Sequence, residues 1–359
     1  MKMSINNSPN YEYLNSRLRA RLGTFIEPDV FRQLARGTIR ELELFLLDSA
    51  YAESYRAHLV SSETSPLARI EMAVSLGIAK QIRETVHLAQ GEPRELMRVV
   101  TNRSDLHNAR LVLRGLALGH DPLKKPSWHA YGELRPNFFD SLWNSEKVVD
   151  AREKCLSNGD PLALALGEAL EACQRGESLP HAERSLLNSY LSHQNGTFRK
   201  IGGSGSKTAL EVMGRSVDLW NLGIWFRKRS EKEKAPHESI PFLQFGKWLS
   251  IERLQSADSV RSLVAGTPWF NEIHSLGTDL DRTSPRVLQR EFNFAFWRWQ
   301  TSLYRRDLLG FEVAVSYLAR LLLEWQNFNI LAVGLALGHN PEGIASRLID
   351  VGERERSKW

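Results

Sequence analysis

The chain has 359 residues, 42% hydrophobic and 25% charged, an ordinary globular balance with enough apolar side chains for a sizeable core. Its net charge of +5, from 47 basic and 42 acidic residues, is spread too evenly for the basic face or tail of a nucleic-acid binder. The two cysteines, Cys155 and Cys173, exclude a disulfide framework or a zinc knuckle and point to a reducing compartment.

In chain order, Met1 to Asn10 is polar and lacks the apolar core of a secretory signal, so none is expected. Ile39, Leu42, Leu46 and Leu47 form a first helical stripe, and Ser49 and Glu53 continue the register of Leu42 and Leu46. Helix breaks fall at Gly91-Glu92-Pro93, His120-Asp121-Pro122, Gly159-Asp160-Pro161, Gly202-Gly203-Ser204-Gly205 and His339-Asn340-Pro341. Arg227-Lys228-Arg229, followed by Glu231 and Glu233, reads as the solvated end of a helix or as a contact for an acidic partner. The aromatic run Phe292, Phe294, Phe296, Trp297 and Trp299 reads as helix packing, with base stacking as the sharper alternative. Leu308, Phe311, Val315, Leu318 and Leu322 mark another stripe. The apolar run Ile330 to Leu337 is about a third of a bilayer span, and Glu312 and Arg320 interrupt Leu308 to Trp325, so no membrane crossing is expected. Windows that alternate like strands are scarce. The expected class is all-α, with helices of about ten to twenty residues joined by short loops.

The chain repeats itself. Gly-Leu-Ala-Leu-Gly-His occupies 115 to 120 and again 334 to 339, and at that spacing Asp105 pairs with Glu324, Asn108 with Asn327 and Pro122 with Pro341. A thinner middle copy matches Asp218, Asn221, Ile224 and Arg227 to Asp105, Asn108, Leu111 and Arg114. Leu46 to Tyr51 likewise matches Val264 to Trp269, each read as a helix ending on an aromatic. Three units of about 110 residues follow, at 1–122, 123–236 and 237–359, arranged either around a pseudo-threefold axis or as a linear array.

Each unit closes on an acid-x-x-Asn helix whose two polar side chains share a face. Buried among apolar neighbours such as Val112, they must be hydrogen-bonded. The pairs Asp105/Asn108, Asp218/Asn221 and Glu324/Asn327 read as polar clamps tying each helix to its neighbours, or as a binding site recurring three times. On the clamp reading, Asn108→Leu or Asn327→Leu leaves a carboxylate without its amide neighbour. Arg114 and Arg227 read as cations complementing the helix C-terminus.

Catalytic patterns are not found. Gly202 to Thr208 resembles a phosphate loop, but Ser206 separates Gly205 from Lys207 and no strand precedes, so it reads as a flexible loop between helices. The ten histidines form no ligand spacing with an acidic companion, and His120 and His339 read as helix-end residues. Asp279 and Asp281 precede Thr283-Ser284-Pro285, a capped helix start. No metal, cofactor or enzymatic site is expected.

Tyr11-Glu12-Tyr13-Leu14-Asn15-Ser16-Arg17-Leu18-Arg19-Ala20 resembles the tyrosine-asparagine-arginine-arginine start of the C subunits of archaeal and bacterial A/V-type ATPases, whose counterpart in the eukaryotic vacuolar enzyme is called d. Asp105-Leu106-His107-Asn108 with Arg114, and Glu324-Trp325-Gln326-Asn327, resemble that family's acid-x-x-Asn helices, and the likeness runs from Tyr11 to about Ile344. It implies three similar helical domains around a funnel-like cavity. It further implies a non-catalytic rotor component, cytoplasmic and peripheral to the membrane, seated on the proteolipid ring and receiving the central stalk. Asn329 and Val333 depart from the pattern, standing where a basic residue and the arginine of the other copies are expected. The competing readings are a helical-repeat adaptor of another assembly and a nucleic-acid binder using arginine and tryptophan.

Overall fold

The computed structural model describes residues 8–59, 65–231, 242–274, 279–280 and 282–350. Every regular element among them is a helix, in line with the expected all-α class. The chain divides into two compact units, Met1–Val100 with Trp297–Trp359, and Thr101–Phe296.

The first unit holds α1 (Tyr11–Arg21), α2 (Pro28–Leu34), α3 (Ile39–Leu47), α4 (Ala52–Leu59), α5 (Pro66–Leu88), the start of α6 (Glu92–Leu118), α16 (Glu312–Ala336) and α17 (Pro341–Ala345). Its axis is α16. From Val313 to Leu323 that helix buries every residue except Arg320, and a helix apolar on all sides belongs in a core. It packs against α5, α1, α2 and α3. The rings of Phe31 and Tyr51 each stand edge-on to Phe328 at 5.2 Å. The helix starts are set chemically. Thr38 and Glu41 form a capping box on α3, and Ser65 caps α5 ahead of Pro66.

The second unit holds the rest of α6, then α7 (Pro136–Trp143), α8 (Val148–Asn158), α9 (Pro161–Gln174), α10 (Leu179–Ile201), α11 (Gly203–Glu231), α12 (Ile251–Ser256), α13 (Val260–Val264), α14 (Pro268–His274) and most of α15 (Pro285–Ser302). Gly159 adopts a left-handed conformation that ends α8, and the Asp160 carboxylate caps Leu162 at the start of α9. The α8–α9–α10 layer is closely packed, with Leu166, Ala169 and Leu170 fully buried.

The helix lengths repeat. Short helices of 7, 9 and 8 residues lead to long ones of 23 and 27 (α2 to α6). Helices of 8, 11 and 14 lead to 23 and 29 (α7 to α11). Helices of 6, 5 and 7 lead to 18 and 25 (α12 to α16). The acid-x-x-Asn motif sits on the last helix of each run.

Several local expectations change. α3 stops at Leu47, because the Ser49 hydroxyl bonds the Leu46 carbonyl and accepts from the Tyr51 N–H, so Ser49 and Glu53 do not extend that helix. Tyr51 and Trp269 do not end helices; they stand at the starts of α4 and α14. Leu308 lies ahead of α16 and is exposed. The supposed flexible loop after α10 is the single residue Gly202, which with Gly203 takes positive φ (73° and 76°) and turns the chain straight into α11.

Candidate functional site

In the second unit α6 presents Asp105 and Asn108 one turn apart, both buried. The Asn108 carboxamide pairs with the backbone of His129, its Nδ2 donating to the carbonyl at 2.8 Å and its Oδ1 accepting the N–H at 3.0 Å. Asn221 pairs with Leu243 in the same way, at 2.9 and 2.8 Å. In the first unit Asn327 does so with Ile349, at 3.1 and 2.9 Å. An amide offers a donor and an acceptor in one plane, so it can satisfy both polar groups of one residue. The partner stands 21 residues downstream for Asn108 and 22 for the other two.

The acids clamp backbone as well, and this corrects the pairing expected from the sequence. Asp105 Oδ2 accepts the N–H groups of Glu133 (2.7 Å) and Leu134 (3.3 Å). Asp218 accepts those of Trp248 (3.0 Å) and Leu249 (3.2 Å), together with the Trp269 indole N–H at 3.0 Å. Glu324 accepts the Ile26 N–H at 2.9 Å and a short hydrogen bond from the Tyr51 hydroxyl. Acid and amide therefore do not satisfy each other; each fastens a different stretch of chain. Leu134, Leu249 and Ile26 each stand two residues ahead of a helix, α7, α12 and α2. The third clamp is thus completed by the N-terminal segment. Glycines admit the acids: a Cβ on Gly132 would lie 2.0 Å from Asp105 Oδ1, and one on Gly246 would lie 2.7 Å from Asp218 Oδ1.

Burial raises all three carboxyls, Asp105 to about 7, Asp218 to about 6 and Glu324 to about 7, against the pull of their hydrogen bonds. The His129 ring stacks on His107 at 4.0 Å, and burial pushes it down to about 3. A fourth asparagine fastens backbone by donation alone. Asn15 on α1 donates to the carbonyls of Leu309 (2.6 Å) and Gly310 (3.0 Å), fastening the loop ahead of α16.

Arg114 does not serve the end of its own helix. It meets both carboxylate oxygens of Glu183 on α10 at 2.8 and 3.0 Å, and Arg110 joins the same carboxylate. Arg227 is exposed near the end of α11. Its neighbours Lys228 and Arg229 lie over the rings of Phe242 and Trp225, at 5.9 and 4.7 Å. Glu233 lies outside the described residues, as does Asp281 of the Asp279 pair.

The identical hexapeptides close their helices identically. Gly119 and Gly338 take φ of 71° and 66°, and the N–H of His120 and of His339 reaches back to the carbonyl of Gly115 and of Gly334. Gly115 and Gly334 lie under Trp143 and Ile344, where a Cβ would come within 2.3 and 2.7 Å. Ser206, in the stretch resembling a phosphate loop, gives its hydroxyl to the Phe198 carbonyl, and the element preceding it is the helix α10. Phe292, Phe296 and Trp297 of the aromatic run are buried, and Phe292 stands edge-on to Trp269 at 5.8 Å. Among the described residues no three His, Cys, Asp or Glu side chains are placed to hold a metal ion. No helix among them is long and apolar enough to cross a membrane.

Residues 14–347 match the family model described as ATP synthase (C/AC39) subunit. The chain belongs to that family. The A-type ATP synthase C subunit of Haloferax volcanii is 24% identical to it across 97% of this chain and 99% of its own length. The V-type ATP synthase C subunit of Thermus thermophilus is 26% identical, over 72% of this chain and 76% of its own. The A-type C subunit of Methanococcoides burtonii is 21% identical over 95% of both. In this C/AC39 chain, sequence reasoning finds the clamp residues but misses what they hold. The loops at 129–134 and 243–249 lie outside the repeated segments, and the donors Tyr51 and Trp269 enter only as the matched aromatics of Leu46–Tyr51 and Val264–Trp269.

Proposed function

We propose that this chain is a non-catalytic rotor subunit of a V/A-type ATPase, linking the central stalk to the membrane proteolipid ring and so coupling ATP turnover to ion transport. The observation that carries the reading is the family match over residues 14–347, with a relative named as the C subunit of an A-type ATP synthase matching along nearly its whole length. The chemistry of the repeated motif agrees with it. Its acids and asparagines spend their hydrogen bonds on backbone and on two aromatic donors, and act as fasteners. A part that transmits torque needs stiffness between helices, and buried, doubly bonded clamps supply it.

On this reading the chain works as three helical repeats, 1–122, 123–236 and 237–359, each ending on its clamp helix. It lies at the cytoplasmic side, peripheral to the membrane through its partners, and takes no cofactor or nucleic acid. Affinity capture of the tagged chain from native membranes tests the proposal. Recovery of proteolipid and stalk proteins in near-equal yield supports it. Their absence, with recovery of an unrelated assembly, overturns it in favour of a helical-repeat adaptor.

A further inference from the structure

Three buried acids do the same work in this chain, and the first is the one to which no side-chain donor is bonded among the described residues. Asp218 and Glu324 each receive a side-chain donor, the indole of Trp269 and the hydroxyl of Tyr51, at the start of the third helix of a run. The corresponding helix of the remaining run is α9, which opens Asp160-Pro161-Leu162. Leu162 stands in α9 where Trp269 stands in α14, second in the helix after a proline, and it has nothing to donate. Accordingly Asp105 Oδ1 is buried without a hydrogen-bond partner among the described residues, while Oδ2 takes both backbone N–H groups.

A buried oxygen carrying half a negative charge and no donor costs far more than a buried, unpartnered hydroxyl. The groups facing Asp105 increase that cost. Glu133 on the loop and Asp160 ahead of α9 are both acidic. Tyr131 on the loop feels the charges of both Asp105 and Arg103. The histidines nearby, His107 and His129, are pushed toward the neutral form by burial. Glycine at 132 leaves Oδ1 facing backbone, where a side chain would close the gap.

We propose that Asp105 is a proton-operated latch on the loop of residues 129–134: the neutral acid holds the loop shut, and loss of the proton lets it open. The direction follows from linkage. Shut, the acid titrates near 7; open and hydrated, it titrates like an ordinary aspartate near 4. Opening therefore becomes more favourable as pH rises between those two values and is constant above the upper one. Asp218, with its third donor, sits lower, at about 6.

His129 on the same loop titrates with the opposite sign. Hydrogen exchange of the full-length chain carrying His129→Gln, followed on the peptide covering 126–135 from pH 4.5 to 8.5 and corrected for intrinsic rates, therefore tests the latch. Protection is expected to fall with rising pH, by up to about tenfold per pH unit, and to level off near pH 7. Adding Asp105→Asn, which keeps an acceptor and cannot ionise, to that background should give protection independent of pH. Leu162→Gln, near leucine in size and carrying an N–H, should bring the levelling-off down by a pH unit or more. Protection in the His129→Gln background that does not change with pH, or a slope persisting there after Asp105→Asn is added, overturns the proposal. Should Asp105→Asn fail to fold, an unmoved plateau in Leu162→Gln overturns it equally.

Discussion

Trp269 gives its indole N–H to the buried Asp218 carboxylate at 3.0 Å, reaching back 51 residues along the chain. Tyr51 performs the same service for Glu324 with its hydroxyl, from a position that the internal repeat aligns with Trp269. Trp269→Phe keeps most of the ring's packing and deletes the donor. It should destabilise the protein by about 1–3 kcal/mol, the cost of a buried charge losing a hydrogen bond. Because the lost bond favours the ionised form, Asp218 should titrate above its present value of about 6. The penalty in denaturant unfolding should therefore be larger at pH 8 than at pH 5. Equal penalties at both pH values would show that the indole contributes packing alone. Tyr51→Phe should behave in the same sense through Glu324.

The asparagines carry a different cost. In Asn108→Leu, Asn221→Leu and Asn327→Leu the carboxylate keeps its own donors, and the backbone N–H and carbonyl of His129, Leu243 or Ile349 are orphaned. Each should lose about 1–3 kcal/mol per buried group left unsatisfied. Unfolding midpoints matching the wild type for all three would refute the clamp.

Those partners explain how far the sequence can be read. Helices are legible because Pro, Gly and Asp punctuate them, as at Gly159-Asp160-Pro161 and Asn340-Pro341. The motif residues are legible because they recur. What they grip is not, since His129, Leu243 and Ile349 share no side-chain chemistry and are held by backbone atoms that every residue carries. The third acid lies further out of reach, its donors Ile26 and Tyr51 being 298 and 273 residues away. Sequence alone sets Arg114 against the nearest helix end because Glu183, 69 residues on, belongs to another helix.

Glycine substitutions should separate close approach from mere flexibility. Gly132→Ala drives a methyl into the Asp105 carboxylate and Gly246→Ala drives one toward Asp218 and the Leu249 carbonyl. Both should destabilise by more than about 1–3 kcal/mol, the usual cost of overpacking. Gly196, inside α10 with nothing within 4 Å of an added Cβ, is the control. There alanine should stabilise by about 0.5–1 kcal/mol through helix propensity. Thermal unfolding of the three variants checks the ordering, and a stabilising Gly132→Ala would contradict the geometry.

His129 adds an acid-side sensitivity. Burial holds it down to about 3, well below the ordinary histidine value. The unfolded chain therefore binds a proton that the folded chain refuses between those values. The neutral ring's contribution is present above about pH 6.5 and is lost as pH falls toward 3. His129→Gln keeps the backbone pairing to Asn108 and removes the titration. Its stability should decline less steeply than the wild type's from pH 6.5 to 4, and parallel declines in chemical denaturation would remove His129 from the account.

The Arg114–Glu183 contact should matter far less than the clamps, although its geometry is good. Arg114 is 47% exposed, and Glu183, itself shared with Arg110, is 15% exposed. Water competes for the guanidinium, and holding two long side chains in place costs entropy, so an exposed pair of this kind is worth up to about 1 kcal/mol. Arg114→Ala leaves Arg110 to satisfy Glu183 and should cost less than Asn108→Leu on the same helix. Glu183→Gln removes the charge from both pairs, and its penalty should shrink at about 1 M salt, where the screening length falls to about 3 Å. The Asn108→Leu penalty, coming from buried neutral groups, should not change with salt. Denaturant unfolding of the three variants at low and high salt distinguishes surface electrostatics from buried fastening. An Arg114→Ala cost equal to that of Asn108→Leu would place the arginine among the clamps.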